Sequence, residues 1–294
     1  MVTVMGASGN TGRVVAEALL ARGEKVRVLG RDAGRLAALK GRGAEVLTGD
    51  VADAAFLARA FAGADTAYTL LPPDPGAADV RAAQDRVGEA TAKGLREAGV
   101  RRVVFLSSVG AELPAGTGPI AGLHAQEERL SALGIDALLL RPGYFFENFG
   151  AILPLIRHQG IAGSALAPGI PMAMIATRDI GAAAAAAIAA RDFSGVEVRN
   201  LLGPRDLTMA EATRILGAAL GKPDLPYVQF PYDAFAGALV QAGLSADMAR
   251  LYVEMSHAFN DGLIRPPVRT LASTTPTPFE TFARGLAASY AAAG

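Results

Sequence analysis

The stretch "VTVMGASGNTGRVV", Val2 to Val15, sets three glycines, Gly6, Gly9 and Gly12, at three-residue spacing directly behind an apolar run. A strand-like run, then glycines, then a helical pattern is the context a phosphate loop requires. Gly6 is expected at the sharp turn, Gly9 where backbone approaches a pyrophosphate, and Gly12 where helix and strand pack closely. Together with Ser8, Asn10 and Thr11 they make a loop whose amides, at the positive end of a helix dipole, are suited to phosphates. The spacing is one residue longer between the first two glycines than in G-x-G-x-x-G. The competing reading is a tight strand–helix turn with no ligand.

Working outward, the runs "KVRVLG", "AEVLTG", "TAYTLL", "RVVFLSS" and "IDALLLRP" alternate with helical patterns near 11–22, 32–40, 53–62, 77–98 and 122–133. Continuous apolar strands separated by helices predict an α/β fold, a doubly wound parallel sheet of Rossmann type with its ligand at the carboxyl edge. Residues 1–150 read as the dinucleotide-binding domain. After about residue 149 the alternation loosens, and 151–294 reads as a small C-terminal α+β substrate lobe, packed on the carboxyl edge and not folding by itself. In it, Thr208 and Glu211 form a capping box, Ser245 is an N-cap, and Thr277, Pro278 and Glu280 begin the last helix with a second box.

Across 294 residues, 28 basic and 28 acidic side chains balance, so no overall field favours nucleic acid or a membrane surface. The absence of cysteine excludes disulfides and thiolate metal sites, and the three histidines form no ligand grouping, so no metal is expected. With no signal-like N-terminus, and with "IGAAAAAAIAA" too short to span a bilayer, the expectation is a soluble cytoplasmic protein.

About twenty residues past the motif, where an adenosine ribose is expected, stands Arg31, suited to a 2′-phosphate; Asp32 reads as a helix cap. This favours NADP over NAD, with Arg13 as a second charge. Asp50 and Val51 are placed beside the adenine and Asp53 at a helix cap. Leu70, Leu71 and Pro72 close the fourth strand over the centre of the cofactor.

The succession "GASGNTGR", "LGRD", "LTGDVAD", "LLPP", "FLSS", "LHAQEERLSALGI" and "LLLRPGYFFENF" resembles the NmrA-like family of atypical short-chain dehydrogenases over nearly the whole chain. The resemblance implies NAD(P) binding. It leaves open the choice among quinone reductases, triphenylmethane-dye reductases, other NADPH-dependent reductases and regulators that bind dinucleotide without turnover. Typical short-chain dehydrogenases use a serine and a Tyr-x-x-x-Lys pair. Here Ser107 and Ser108 stand at the serine position, but the next helix has neither tyrosine nor lysine. In their place His124 and Glu127 resemble the family's histidine–glutamate signature, and at i,i+3 they share a helix face.

Three roles stand open for His124: a proton donor oriented by Glu127, a group positioning substrate or ribose, or a plain polar residue of the first turn. Ser107 is expected against the cofactor and Ser108 at the chemistry. Pro142, Gly143 and Tyr144 are implied as nicotinamide contacts, with Tyr144 also a catalytic candidate. Tyr144 and Phe146 read either as walls of a flat slot or as core. Tyr252, Met255 and Phe259, and likewise Met172 and Met174, read more readily as packing.

Reducing a ketone needs a proton for the developing alkoxide, whereas a quinone or cationic dye spreads the charge itself. The expected function is therefore NADPH-dependent hydride transfer to a quinone-like or other conjugated small molecule. The alternatives are a dinucleotide-sensing regulator or a carbonyl or biosynthetic reductase. Expected partners are the small-molecule substrate, with a homo-oligomer or a regulatory protein as further options.

Overall fold

In the computed structural model, which describes residues 1–292, the first apolar runs become strands β1 (Val2–Val4), β2 (Val26–Gly30), β3 (Glu45–Thr48), β4 (Thr66–Leu70), β5 (Arg102–Leu106) and β6 (Asp136–Pro142). Between them run α1 (Asn10–Ala21), α2 (Ala37–Gly41), α3 (Ala54–Phe61), α4 (Val80–Glu97) and α5 (Ile120–Ser131). The chain continues through β7 (Tyr144–Phe145), a 3-10 segment at Phe146–Ile152, α6 (Leu153–Gln159), β8 (Ala162–Ser164), β9 (Met172–Ile175), α7 (Thr177–Ala190) and β10 (Val196–Leu201). It ends with β11 (Asp206–Leu207), α8 (Met209–Ala219), β12 (Tyr227–Gln229), α9 (Tyr232–Gln241), α10 (Ala246–Asn260) and α11 (Phe279–Ala292).

The large sheet has the order β3-β2-β1-β4-β5-β6-β10, with every neighbouring pair parallel. Strand order reverses between β1 and β4, which opens a crevice at their carboxyl ends, beside the glycine loop. Buried aliphatic residues of β1, β4, β5 and β6 face α1 and α7 on one side and α3, α4 and α5 on the other. This is the expected doubly wound fold.

Beyond residue 150 the chain also contributes elements to the large sheet's own layers. Helix α7 lies along α1, where a Cβ on Gly181 would meet Val14 Cβ at 2.6 Å, and β10 adds a seventh strand against β6. Both belong to the large sheet's layers. Their sequences hide this: the alanine run of α7 carries no contrast between faces, and "VEVRNL" alternates as an edge strand does, not as a buried parallel strand does.

The remaining lobe holds two small sheets, β11-β9-β7 and β12-β8. Its core centres on Phe146 and Phe149, each packed on Phe279 with centroids 5.0 and 4.8 Å apart. Phe146, Met172 and Met174 are buried there, so they are core and not slot. The Thr208–Glu211 capping box and the Ser245 cap form as expected. Thr277 does not serve the second box. Its hydroxyl donates to Asp179 Oδ1 at 2.7 Å and accepts from Arg178 Nε, while Glu280 meets Arg205 at 2.6 Å. The hydroxyl thereby ties the start of the last helix to α7.

Candidate active site

Gly6 turns the chain at φ +62, and a Cβ there would meet Leu70 Cδ2 at 2.7 Å, which sets the end of β4 against the loop. A Cβ on Gly12 would strike the Gly6 carbonyl oxygen and lie 2.8 Å from that of Met5, so only glycine lets α1 approach β1 this closely. At Gly9 a Cβ would meet only the Gly6 carbonyl, at 3.3 Å, with open space otherwise. Gly9 is the N-cap of α1 and carries no capping side chain; no acidic residue stands in the first turn. The amides of Asn10, Thr11 and Gly12 are thus left without intrahelical partners at the positive helix end. Gly9 and Asn10 are exposed, whereas Thr11 is buried with its hydroxyl beside the Tyr68 phenol, so Thr11 has only its amide to offer. A bare cradle of this shape and charge fits a pyrophosphate.

Arg31, at the end of β2, is exposed and makes no hydrogen bond or ion pair among the described residues. Asp32 Oδ1 accepts from the Gly34 amide at 2.7 Å and closes the turn, but the N-cap position of the 3-10 segment at Gly34–Leu36 falls to Ala33 and not to the expected Asp32. Arg35 donates from Nη2 to the Ser8 carbonyl at 3.5 Å, bringing a second guanidinium to the rim of the loop. Arg35 was not singled out in the sequence; its position four residues beyond Arg31 was the available signal. Arg13 instead points along its own helix toward Glu17, at 3.9 Å.

Asp50 Oδ1 accepts from the Ala52 amide, and its other oxygen remains available. Asp53 caps α3 through the Ala55 amide at 2.8 Å. Val51, Leu71 and Pro72 are half-buried along the same edge.

A carboxylate network occupies the place of the missing tyrosine–lysine pair. Glu127, expected as a partner for His124, faces inward from α5 and is 5% exposed. It accepts from Arg141 Nε at 2.9 Å and Nη2 at 2.5 Å in a bidentate clasp, and from Ser107 Oγ at 2.5 Å. Arg141 Nη1 also reaches Glu112 at 3.2 Å. The hydrogen bond from Arg141 to Glu127 is the main cause holding its guanidinium charge above the ordinary range. The sequence signal for Arg141 was a lone arginine inside "ALLLRP", which on a buried strand must find an anion. His124 turns elsewhere: its Nδ1 lies 2.8 Å from the Ala111 carbonyl and its Nε2 lies 3.5 Å from Glu128, one residue beyond the expected partner. A carbonyl only accepts, so Nδ1 carries the hydrogen in this contact. Ser108 is half-exposed, its hydroxyl donating to the Val109 carbonyl at 2.9 Å.

Pro142 and Gly143 have local partners. The Gly143 amide donates to Leu201, the Pro142 carbonyl accepts from Val109, and a Cβ on Gly143 would strike the Ala173 carbonyl of β9. The Gly143 amide, expected at a nicotinamide carboxamide, is spent inside the fold. Tyr144 is half-buried, edge-on to Phe149 at 6.0 Å, and burial pushes its phenol up, with the phenols of Tyr227 and Tyr252 adding to the effect. Tyr227 is pushed up to about 12 by burial while its hydroxyl bonds Ser164 and Leu166. Tyr252 packs with Val80, Met248 and Leu251, and Met255 and Phe259, also on α10, pack against the cluster of Val109, Ala111 and Ile264. The start of α10 is tied to the segment after β4 and to the first residue of α4, because Asp247 accepts from the Val80 amide at 2.9 Å and the Ser245 amide donates to the Pro75 carbonyl.

The NmrA-like family model matches residues 1–282. The (4-alkanoyl-5-oxo-2,5-dihydrofuran-3-yl)methyl phosphate reductase of Streptomyces griseus is 33% identical over 94% of this chain and 91% of its own. The NAD(P)H azoreductase of Xenophilus azovorans is 27% identical over 100% of this chain and 99% of its own. Among solved structures, the NADPH-dependent quinone oxidoreductase of Escherichia coli complexed with NADPH is similar at a TM-score of 0.83 and 23% identity, covering 97% of this chain and 99% of that one. Sequence and fold agree along nearly the whole length, and the chain belongs to the NmrA-like family.

Proposed function

We propose that this protein is an NADPH-dependent reductase that passes hydride to small conjugated acceptors. The observation that carries the reading is the state of Ser107. A carbonyl reductase keeps a hydroxyl donor and an acid at this place, whereas here the Ser107 hydroxyl is spent donating to Glu127 and the carboxylate is closed by Arg141. A site so arranged suits acceptors whose own π system takes up the charge. The relatives named for an oxo-dihydrofuran phosphate, an azo compound and a quinone are reductases of conjugated molecules, which supports the same class.

The bound coenzyme supplies the hydride. The amides of Asn10, Thr11 and Gly12 hold its pyrophosphate, and Arg31 with Arg35 meets the 2′-phosphate. Asp50 and Val51 flank the adenine, and Leu70, Leu71 and Pro72 line the middle of the crevice. Ser107, Ser108, His124 and Tyr144 border the reacting end, where orientation and exclusion of water do the catalytic work.

The test is to offer a quinone, an azo dye and a simple ketone separately and follow loss of the dihydronicotinamide absorbance. Turnover of the conjugated acceptors at least ten-fold above the ketone is expected. Preferred turnover of the ketone, or none with any acceptor despite coenzyme binding, overturns the reading.

A further inference from the structure

Strand β10 ends the large sheet, and its outer side is open only over a short window. The carbonyls of Gly195 and Leu201 accept from the Ala137 and Gly143 amides of the β6 side. Odd-numbered residues therefore bond inward, and Val196, Val198 and Asn200 direct their backbone groups outward. Leu202 follows the same parity: its amide and carbonyl are taken on the outer side by Ser273 and Thr275. At the other end Gly195, at φ +62, turns the chain away. Six residues of edge, Val196–Leu201, are left between these stops, and Val196 and Val198 stand there 49% and 47% exposed.

We propose that this window is the dimer interface of the protein, with a second copy of the same strand as its occupant. An antiparallel pair centred on Val198 faces Val198 with itself and Val196 with Asn200 as hydrogen-bonded pairs, because these are the residues with outward backbone groups. The intervening pairs then set Glu197 directly opposite Arg199 of the second copy, twice by symmetry, where side chains stand closest. The strand is complementary to itself in charge as well as in backbone parity. Within one chain Arg199 already meets Glu197 and Asp192, each at 3.1 Å, so the four charges across the axis form an alternating network. Val268 and Leu271, 87% and 99% exposed in the loop before Ser273, add apolar surface to the segment that closes the window. The pairing joins two seven-stranded sheets into one and removes an exposed edge that otherwise invites aggregation.

The experiment is sedimentation or light-scattering mass measurement of the full chain at micromolar concentration, expected to give twice the 30.1 kDa chain mass. Val198→Lys, which sets like charges face to face on the axis, is expected to raise the dimer dissociation constant at least ten-fold. Glu197→Arg is expected to do the same, and Glu197→Arg with Arg199→Glu to restore the dimer. A monomeric wild-type protein, or a dimer that both single substitutions leave intact, overturns the proposal. Coenzyme binding by each variant, read by fluorescence, reports folding separately from association.

Discussion

Gly12 shows what one missing Cβ does. The Gly6 carbonyl oxygen lies where that atom would go, so Gly12→Ala forces α1 off β1 and moves the first-turn amides with it. Overpacking of this kind costs about 1–3 kcal/mol. Urea unfolding should show that loss, and fluorescence titration should show NADPH binding weakened at least ten-fold. Arg31 makes the opposite case, since it is exposed and without a partner among the described residues. Arg31→Ala should leave stability unchanged and weaken NADPH about ten-fold while sparing NADH, the loss expected of a charge-assisted hydrogen bond. Equal weakening of both coenzymes would remove its assignment to the 2′-phosphate.

Helix α5 and strand β6 are joined by a charge pair that neither could keep alone. Glu127→Ala leaves Arg141 on a strand with only the exposed Glu112 to meet it, and breaking such a pair costs about 3–5 kcal/mol. A urea midpoint unchanged by that substitution would show that the clasp contributes nothing net. Helix α10 is held on α4 by Asp247, whose carboxyl sits below its ordinary value because the Val80 amide, and then Arg250, bond its charged form. A depressed carboxyl contributes fully above the unfolded-state pKa and loses that contribution as pH falls through the folded value. Stability measured against pH should therefore fall on the acid side, below about pH 4, and Asp247→Asn should flatten that limb. An unchanged acid limb would place the loss elsewhere.

For the whole molecule, coenzyme binding and folding are linked, because the crevice exists only when β1, β4 and the helices around them are assembled. NADP at a hundred times its dissociation constant should add about 2.7 kcal/mol to the unfolding free energy, and NAD at the same concentration clearly less. Equal gains would show that the arginines at the end of β2 do not choose between the two coenzymes.

Much of this was legible in the residues themselves. The glycine triplet, the apolar strands and the Asp53, Thr208 and Ser245 caps act over a few positions, so local spacing determined the doubly wound sheet, the cradle and most helix starts. Tertiary structure alone decided that Glu127 belongs to Arg141 and Ser107 and not to His124, that Thr277 serves Asp179, and that β10 returns to the large sheet. Each of those outcomes depends on which groups are brought together from distant parts of the chain and shut away from water. A buried charge takes the partner the fold delivers, and periodicity along one helix cannot name it.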